Sequence, residues 1–121
     1  MLSLPLPVRI LLCTQHADMR RSFDGLAQMV REFLGADPLS GHLFVFRSKR
    51  GDRVKLLYWD SDGLAIWYKR LEKGTFRFPA PTGDSHGVEI RSTDLAMLLD
   101  GVDLNSVKRQ RRYRLPQPSQ A

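Results

Sequence analysis

Between residues 41 and 79 apolar and polar positions alternate in four short bursts, each set apart from the next by turn residues. Residues 43–46, 54–59, 64–70 and 75–78 are rich in aromatic, β-branched and leucine side chains, which suit a pleated and half-buried surface. The separators Lys49-Arg50-Gly51-Asp52, Asp60-Ser61-Asp62-Gly63 and Glu72-Lys73-Gly74 each hold a glycine able to take the positive φ that a tight reversal needs. Four strands joined by hairpin-length links predict an antiparallel meander. Both faces of its middle strands are apolar: Val54, Leu56 and Tyr58 alternate with Leu57 and Trp59, and Leu64, Ile66 and Tyr68 with Ala65 and Trp67. One face must meet helices. The other is covered by the chain termini or left as an aromatic surface for a partner.

Around the meander the period changes. Residues 8–13 follow Pro5 and Pro7 and read as a short strand added to the meander's edge. From residue 19 to 34 the apolar positions Met19, Phe23, Leu26, Ala27, Val30, Phe33 and Leu34 fall on one helical stripe, with Asp18 placed as N-cap and Gly35 as terminator. Gly25 inside this helix costs up to about 1 kcal/mol relative to alanine, and close packing on the sheet is the expected reason. Residues 88–90 read as one more brief strand. Ser92 then caps a second helix over 93–99, with Leu95, Leu98 and Leu99 inward and Gly101 ending it. The expected fold class is α+β: an antiparallel meander sheet of about four to six strands with two helices packed on it.

A chain of 121 residues carries one modest core, so residues 1–103 are expected as one α+β domain and 104–121 as a basic, partly disordered tail. The net charge of +6 is concentrated there. Residues 1–103 hold 14 Lys and Arg against 13 Asp and Glu, whereas the tail holds Lys108, Arg109, Arg111, Arg112 and Arg114 with no acid. Such a segment is an electrostatic footprint for a polyanion, nucleic acid above all, or else a solvated tail that aids solubility. The apolar run 8–13 is too short to span a bilayer, and Met1 to Pro7 has no basic leader, so a cytoplasmic protein is expected. A single cysteine, Cys13, forms no internal disulfide and is expected to be buried and inert.

Catalytic chemistry finds little purchase. His16, His42 and His86 are scattered, without partners at ligand spacing, so no metal and no other cofactor is expected. Asp60 and Asp62 could pair at a metal, but a hairpin tip favours aspartate for its own backbone bonds and lacks a dry pocket. The residues give no reason to expect an enzyme. Binding is better supported: Arg47, Lys49, Arg50, Arg53 and Lys55 crowd the first hairpin with only Asp52 opposing. They either contact phosphates, which position a protein without reading sequence, or guard an exposed edge against strand pairing. Tyr58, Trp59, Trp67 and Tyr68 are core residues or a partner-binding patch.

Four blocks of the chain also resemble a known family. Asp18-Met19-Arg20-Arg21-Ser22-Phe23-Asp24-Gly25-Leu26 is similar to its DMRKGFDGL block. Gly41-His42-Leu43-Phe44-Val45-Phe46-Arg47, continued by Arg50-Gly51-Asp52-Arg53-Val54-Lys55, resembles its GHLFVFRxxRGDxxK block. The third and fourth, Tyr68-Lys69-Arg70-Leu71-Glu72-Lys73-Gly74-Thr75-Phe76 and residues 95–103, resemble YKRLExGxF and LxxLLxGID. The family is that of the TnpB accessory proteins, products of the second reading frame of insertion-sequence-66-type elements. The resemblance implies a bacterial protein acting in DNA transposition beside a separate DDE-type transposase, and it brings no catalytic residue. One departure stands out: Leu104 follows Asp103 where the family usually has tryptophan. The expected function is therefore a non-catalytic transposition accessory that binds DNA at the element's ends, assists the transposase, or both. The alternative is a protein-only adaptor that docks the transposase through its aromatic sheet face.

Overall fold

The structure is a computed structural model that describes residues 8–81 and 83–104. Its elements run β1 (Ile10–Cys13), α1 (Phe23–Leu34), β2 (Leu43–Arg47), β3 (Arg53–Asp60), β4 (Gly63–Arg70), β5 (Gly87–Ile90) and α2 (Ser92–Leu99). The strands form one sheet in the order β4-β3-β2-β1-β5. β2, β3 and β4 are the expected antiparallel meander, in register from Phe44↔Leu57 through Leu56↔Trp67 to Asp60↔Gly63; Gly51 takes the positive φ at the first turn (82°), but at the second it is Ser61 (55°), not Gly63. β1 joins the free edge of that meander, but parallel to β2, with Ile10 beside Leu43 and Leu12 beside Val45. A parallel neighbour needs a long crossover, and α1 with its flanking turns supplies it. β5 then pairs antiparallel on β1, Ile90 against Ile10. The sheet is thus mixed, mostly antiparallel, and carries two helices: an α+β fold.

The helices lie on opposite faces. Alternation along the strands sends Ile10, Leu12, Leu43, Val45, Val54 and Leu56 to one face, where Leu95 and Leu98 of α2 meet them. The intervening residues Cys13, Phe44, Phe46 and Leu57 meet Leu26, Ala27, Met29 and Val30 of α1 on the other. A sheet covered on both sides needs apolar groups at odd and even positions alike, which is what β2 and β3 contain.

Residues 75–78 are not a strand. Between β4 and β5 the chain turns back over the α2 face as an irregular segment. Its Leu71 N–H donates to the Asp52 carbonyl and its Phe76 N–H to the Gly51 carbonyl, both at 2.8 Å. Phe76 is wholly buried and Phe78 nearly so. Two phenylalanines flanking an exposed arginine satisfy a pleated strand and a plug equally well. Here they complete a core face that the short α2 alone leaves open.

The first helix begins four residues later than the apolar stripe predicts, at Phe23 rather than Met19. The reason lies on β3. Lys55 Nζ donates to the carbonyls of Met19 and Arg21, each at 2.8 Å, so oxygens that a helix from residue 19 would use for its own ladder are already engaged. Asp18 therefore caps no helix. Its carboxylate accepts the Arg20 N–H at 2.9 Å and the Arg20 guanidinium at 2.6 Å, while its carbonyl accepts the Arg21 N–H. At the other end Gly35 takes the left-handed conformation (φ 57°) and stops α1 as expected. At Gly25 the atoms nearest to where a Cβ would sit are Arg21 Cβ and Cγ at 3.1 Å, so the tightest constraint comes from the preceding turn rather than from the sheet. In α2 the capping residue is Arg91, not Ser92, with the Asp94 carboxylate accepting the Arg91 N–H at 3.1 Å. Leu104 packs, half-buried, against the α2-side core. In this chain the position where the family usually has tryptophan is a packing position.

Candidate nucleic-acid interface

The β2–β3 turn is built around Ser48, which is 8% exposed. Ser48 N–H donates to the Arg53 carbonyl and Gly51 N–H to the Ser48 carbonyl, both at 3.0 Å. The Ser48 hydroxyl accepts the Arg53 N–H at 3.2 Å and lies 3.3 Å from the Asp52 carboxylate. Docking by residues 71–76 onto Gly51 and Asp52 braces the same turn from outside. Gly51 is needed there at φ 82°, with Thr75 already 3.4 Å from where a Cβ would sit. A loop so braced presents its side chains from a rigid base.

The five cations expected to share this hairpin do not share one role. Lys49 and Arg50 are exposed at the tip and Arg53 is partly exposed at the start of β3. None of the three is within ion-pair distance of a carboxylate among the described residues. Arg47 is turned to internal use: its guanidinium donates to the Phe76 carbonyl at 3.1 Å and lies 4.6 Å from the centre of the Phe78 ring. Burial, and then the nearby charge of Arg77, pulls its pKa below the ordinary arginine value. Lys55 is 8% exposed, bonded to two carbonyls and set 4.7 Å from the Tyr68 ring, so its ammonium is not free to meet a phosphate. Of the five cations, Arg47 and Lys55 are thus engaged within the fold, whereas Lys49, Arg50 and Arg53 face solvent. Lys108, Arg109, Arg111, Arg112 and Arg114 lie outside the described residues.

The buried Lys55 also assembles what the sequence hides. By holding Met19 and Arg21 it lays the 19–21 segment, with the exposed Arg20 and Arg21, over the start of β3. On that same face Arg53 lies opposite Arg70 and reaches Tyr68 Oη at 3.5 Å. Two of these arginines carry a carboxylate partner, Arg20 with Asp18 at 2.6 Å and Arg70 with Glu72 at 3.1 Å, while the Arg21 guanidinium donates to the Gly25 carbonyl at 3.2 Å. On a helix begun at Met19, Arg20 and Arg21 would lie on its solvent side. Only the helix start at Phe23 releases them, and no local signal marks it.

Strand alternation divides the four aromatic candidates. Tyr58 and Trp67 lie on the α2 face, half-buried against its core, while Trp59 and Tyr68 point to the α1 face, where Tyr68 is 47% exposed. No single sheet face presents all four. A groove of about 1000 Å³ runs beside α2, lined by Val8, Ile10, Trp67, Leu95 and Leu99, with Lys69 at its rim. Elsewhere Cys13 is buried, and that burial pushes its thiol pKa up. His42 Nδ1 accepts the Arg9 N–H at 3.0 Å, and His86 packs edge-on against Phe33. Among the described residues no three His, Cys, Asp or Glu side chains converge as metal ligands, and no helix is long and apolar enough to cross a membrane.

Comparison with known proteins places these features in a family. The family model described as "IS66 Orf2 like protein" matches residues 8–109. The uncharacterized protein y4jC of Sinorhizobium fredii is 41% identical over 103 residues, covering 85% of this chain and 86% of its own. The uncharacterized protein y4hO of the same organism is 40% identical over 96 residues, covering 79% and 82%. No solved structure matches. The matched span takes in every strand and both helices of the described residues, with the basic hairpin between them, and the chain belongs to the IS66 Orf2-like family, the TnpB-type accessory proteins of transposition.

Proposed function

We propose that this accessory protein binds DNA, and does so through the corner formed by Lys49, Arg50, Arg53 and Arg21, with the tail cations Lys108, Arg109, Arg111, Arg112 and Arg114 adding further phosphate contacts. The element's own ends are the natural target for a transposition protein. One observation carries the reading: Lys49, Arg50 and Arg53 stand on a braced turn without carboxylate partners, beside the 19–21 segment held there by Lys55. Unneutralised cations on a rigid base suit a phosphate backbone, which rewards fixed charge and releases counterions on binding. The half-exposed Tyr68 ring beside Arg53 and Arg70 is a surface on which an unpaired base can stack.

The test is charge reversal at Arg50 and Arg53 together, measured on a labelled terminal-repeat duplex. The folded variant should bind more weakly and show a log–log salt slope smaller by about 2 units. Unchanged affinity and slope would remove the hairpin from the interface. A second reading, docking of the transposase without DNA contact, is favoured by the apolar groove beside α2. It predicts transposase co-purification that survives nuclease treatment and is lost on Trp67→Ala.

A further inference from the structure

The outer edge of β4 is an unusual edge. Among the described residues β4 pairs only with β3, and the segment that would have formed a further strand beside it, residues 75–78, crosses the α2 face instead. Free edge strands are normally kept from pairing by being short or by bulges, prolines and charges along their length. β4 has eight residues in unbroken register with β3, no proline, and an uncharged run from Gly63 to Tyr68. Its charges sit only at the two ends and are opposite in sign. Asp60 and Asp62 are exposed where the strand begins, and Lys69 and Arg70 are exposed where it finishes.

A strand acidic at one end and basic at the other is complementary to an antiparallel copy of itself. We infer that the β4 edge is a homodimer interface, in which two copies of this chain join β4 to β4 into one ten-stranded sheet around a twofold axis. The geometry restricts the register. In an antiparallel ladder opposite residues both point their N–H and C=O across the gap or both away from it, so two copies of one strand pair only residues of like parity. With Ile66 on the axis, Ala65 faces Trp67 of the second copy, Leu64 faces its Tyr68, and Asp62 faces its Arg70, twice over. Sliding one way by two residues brings Asp62 against Glu72 of the second copy. Sliding the other way shortens the strand-to-strand ladder from residues 63–69 to 63–67. Arg70 is available for the new partner, because its present bond to Glu72 joins two side chains that are 56% and 84% exposed.

Sedimentation equilibrium of the full-length chain at low salt tests this. A monomer–dimer equilibrium is expected. Asp62→Lys and Arg70→Glu should each weaken the dimer about tenfold, since each turns two attractive pairs into two repulsive ones. The double variant should recover most of that loss, which a general loss of folding cannot imitate. Far-UV circular dichroism confirms that the single variants, both altered at exposed positions, remain folded. A chain that stays monomeric up to millimolar concentration, its edge free or covered by its own residues, would overturn the proposal. So would a dimer indifferent to both reversals, or one that the double variant fails to restore.

Discussion

Lys55 is held on three sides, by two carbonyl oxygens and a tyrosine ring, and its removal tests how firmly the 19–21 turn is fastened. Replacing it with methionine keeps the stem and deletes the charge, leaving both carbonyls without their donor. A loss of about 2–4 kcal/mol in urea unfolding is expected. DNA affinity of the folded variant should also fall, because Arg21 loses the anchor that sets it beside the hairpin, whereas Arg50→Ala should lower affinity with stability within about 0.5 kcal/mol of the parent. Asp18 offers a pH test at the same turn. Hydrogen bonds from the Arg20 guanidinium first, and from its backbone N–H second, hold the Asp18 carboxyl down at about 2. A folded pKa below the unfolded value of about 3.9 gives a contribution that is complete above that value and fades as pH falls toward 2. Carboxyl NMR should place the Asp18 midpoint near 2, and Arg20→Ala should move it up toward the ordinary aspartate range.

At the scale of elements, the segment between β4 and β5 matters most. Phe76 fills the α2-side core and Arg47 clamps the segment from the sheet. Phe76→Ala should cost about 3–5 kcal/mol, as for other buried phenylalanines, with a reduced midpoint in denaturant. What the residues foretold here, and what they did not, has a physical pattern. β2, β3, β4 and the end of α1 were legible because turn glycines and period-2 or period-3.6 spacing are local. The irregular course of residues 75–78 was not, since Phe76-Arg77-Phe78 has the spacing of a strand. The start of α1 was not either. It is decided by an ammonium 36 positions further along the chain, and Asp18 looks like a helix cap until its neighbours' carbonyls are seen to be taken. The exposure of the basic hairpin was legible only in part for the same reason. Lys49 and Arg50 are exposed wherever the turn lies, but the fates of Arg47 and Lys55 depend on which distant segment crosses them.

For the molecule as a whole, a near-neutral body with one unpaired basic corner and a cationic tail makes salt the sharpest discriminator. Two helices on opposite faces cover the middle of the sheet, so among the described residues the surfaces left for partners are its edges, its corner and the groove beside α2. The measurement that tests DNA binding most directly is affinity for a terminal-repeat duplex against a scrambled one, across a salt series, with and without residues 105–121. Tail removal should lower the log–log slope by roughly 4 to 5 units, while the remaining binding still prefers the terminal repeat and still falls on charge reversal at Arg50 and Arg53. Absence of binding to either duplex at low salt by the full-length chain would contradict the account and leave the transposase as the partner to pursue.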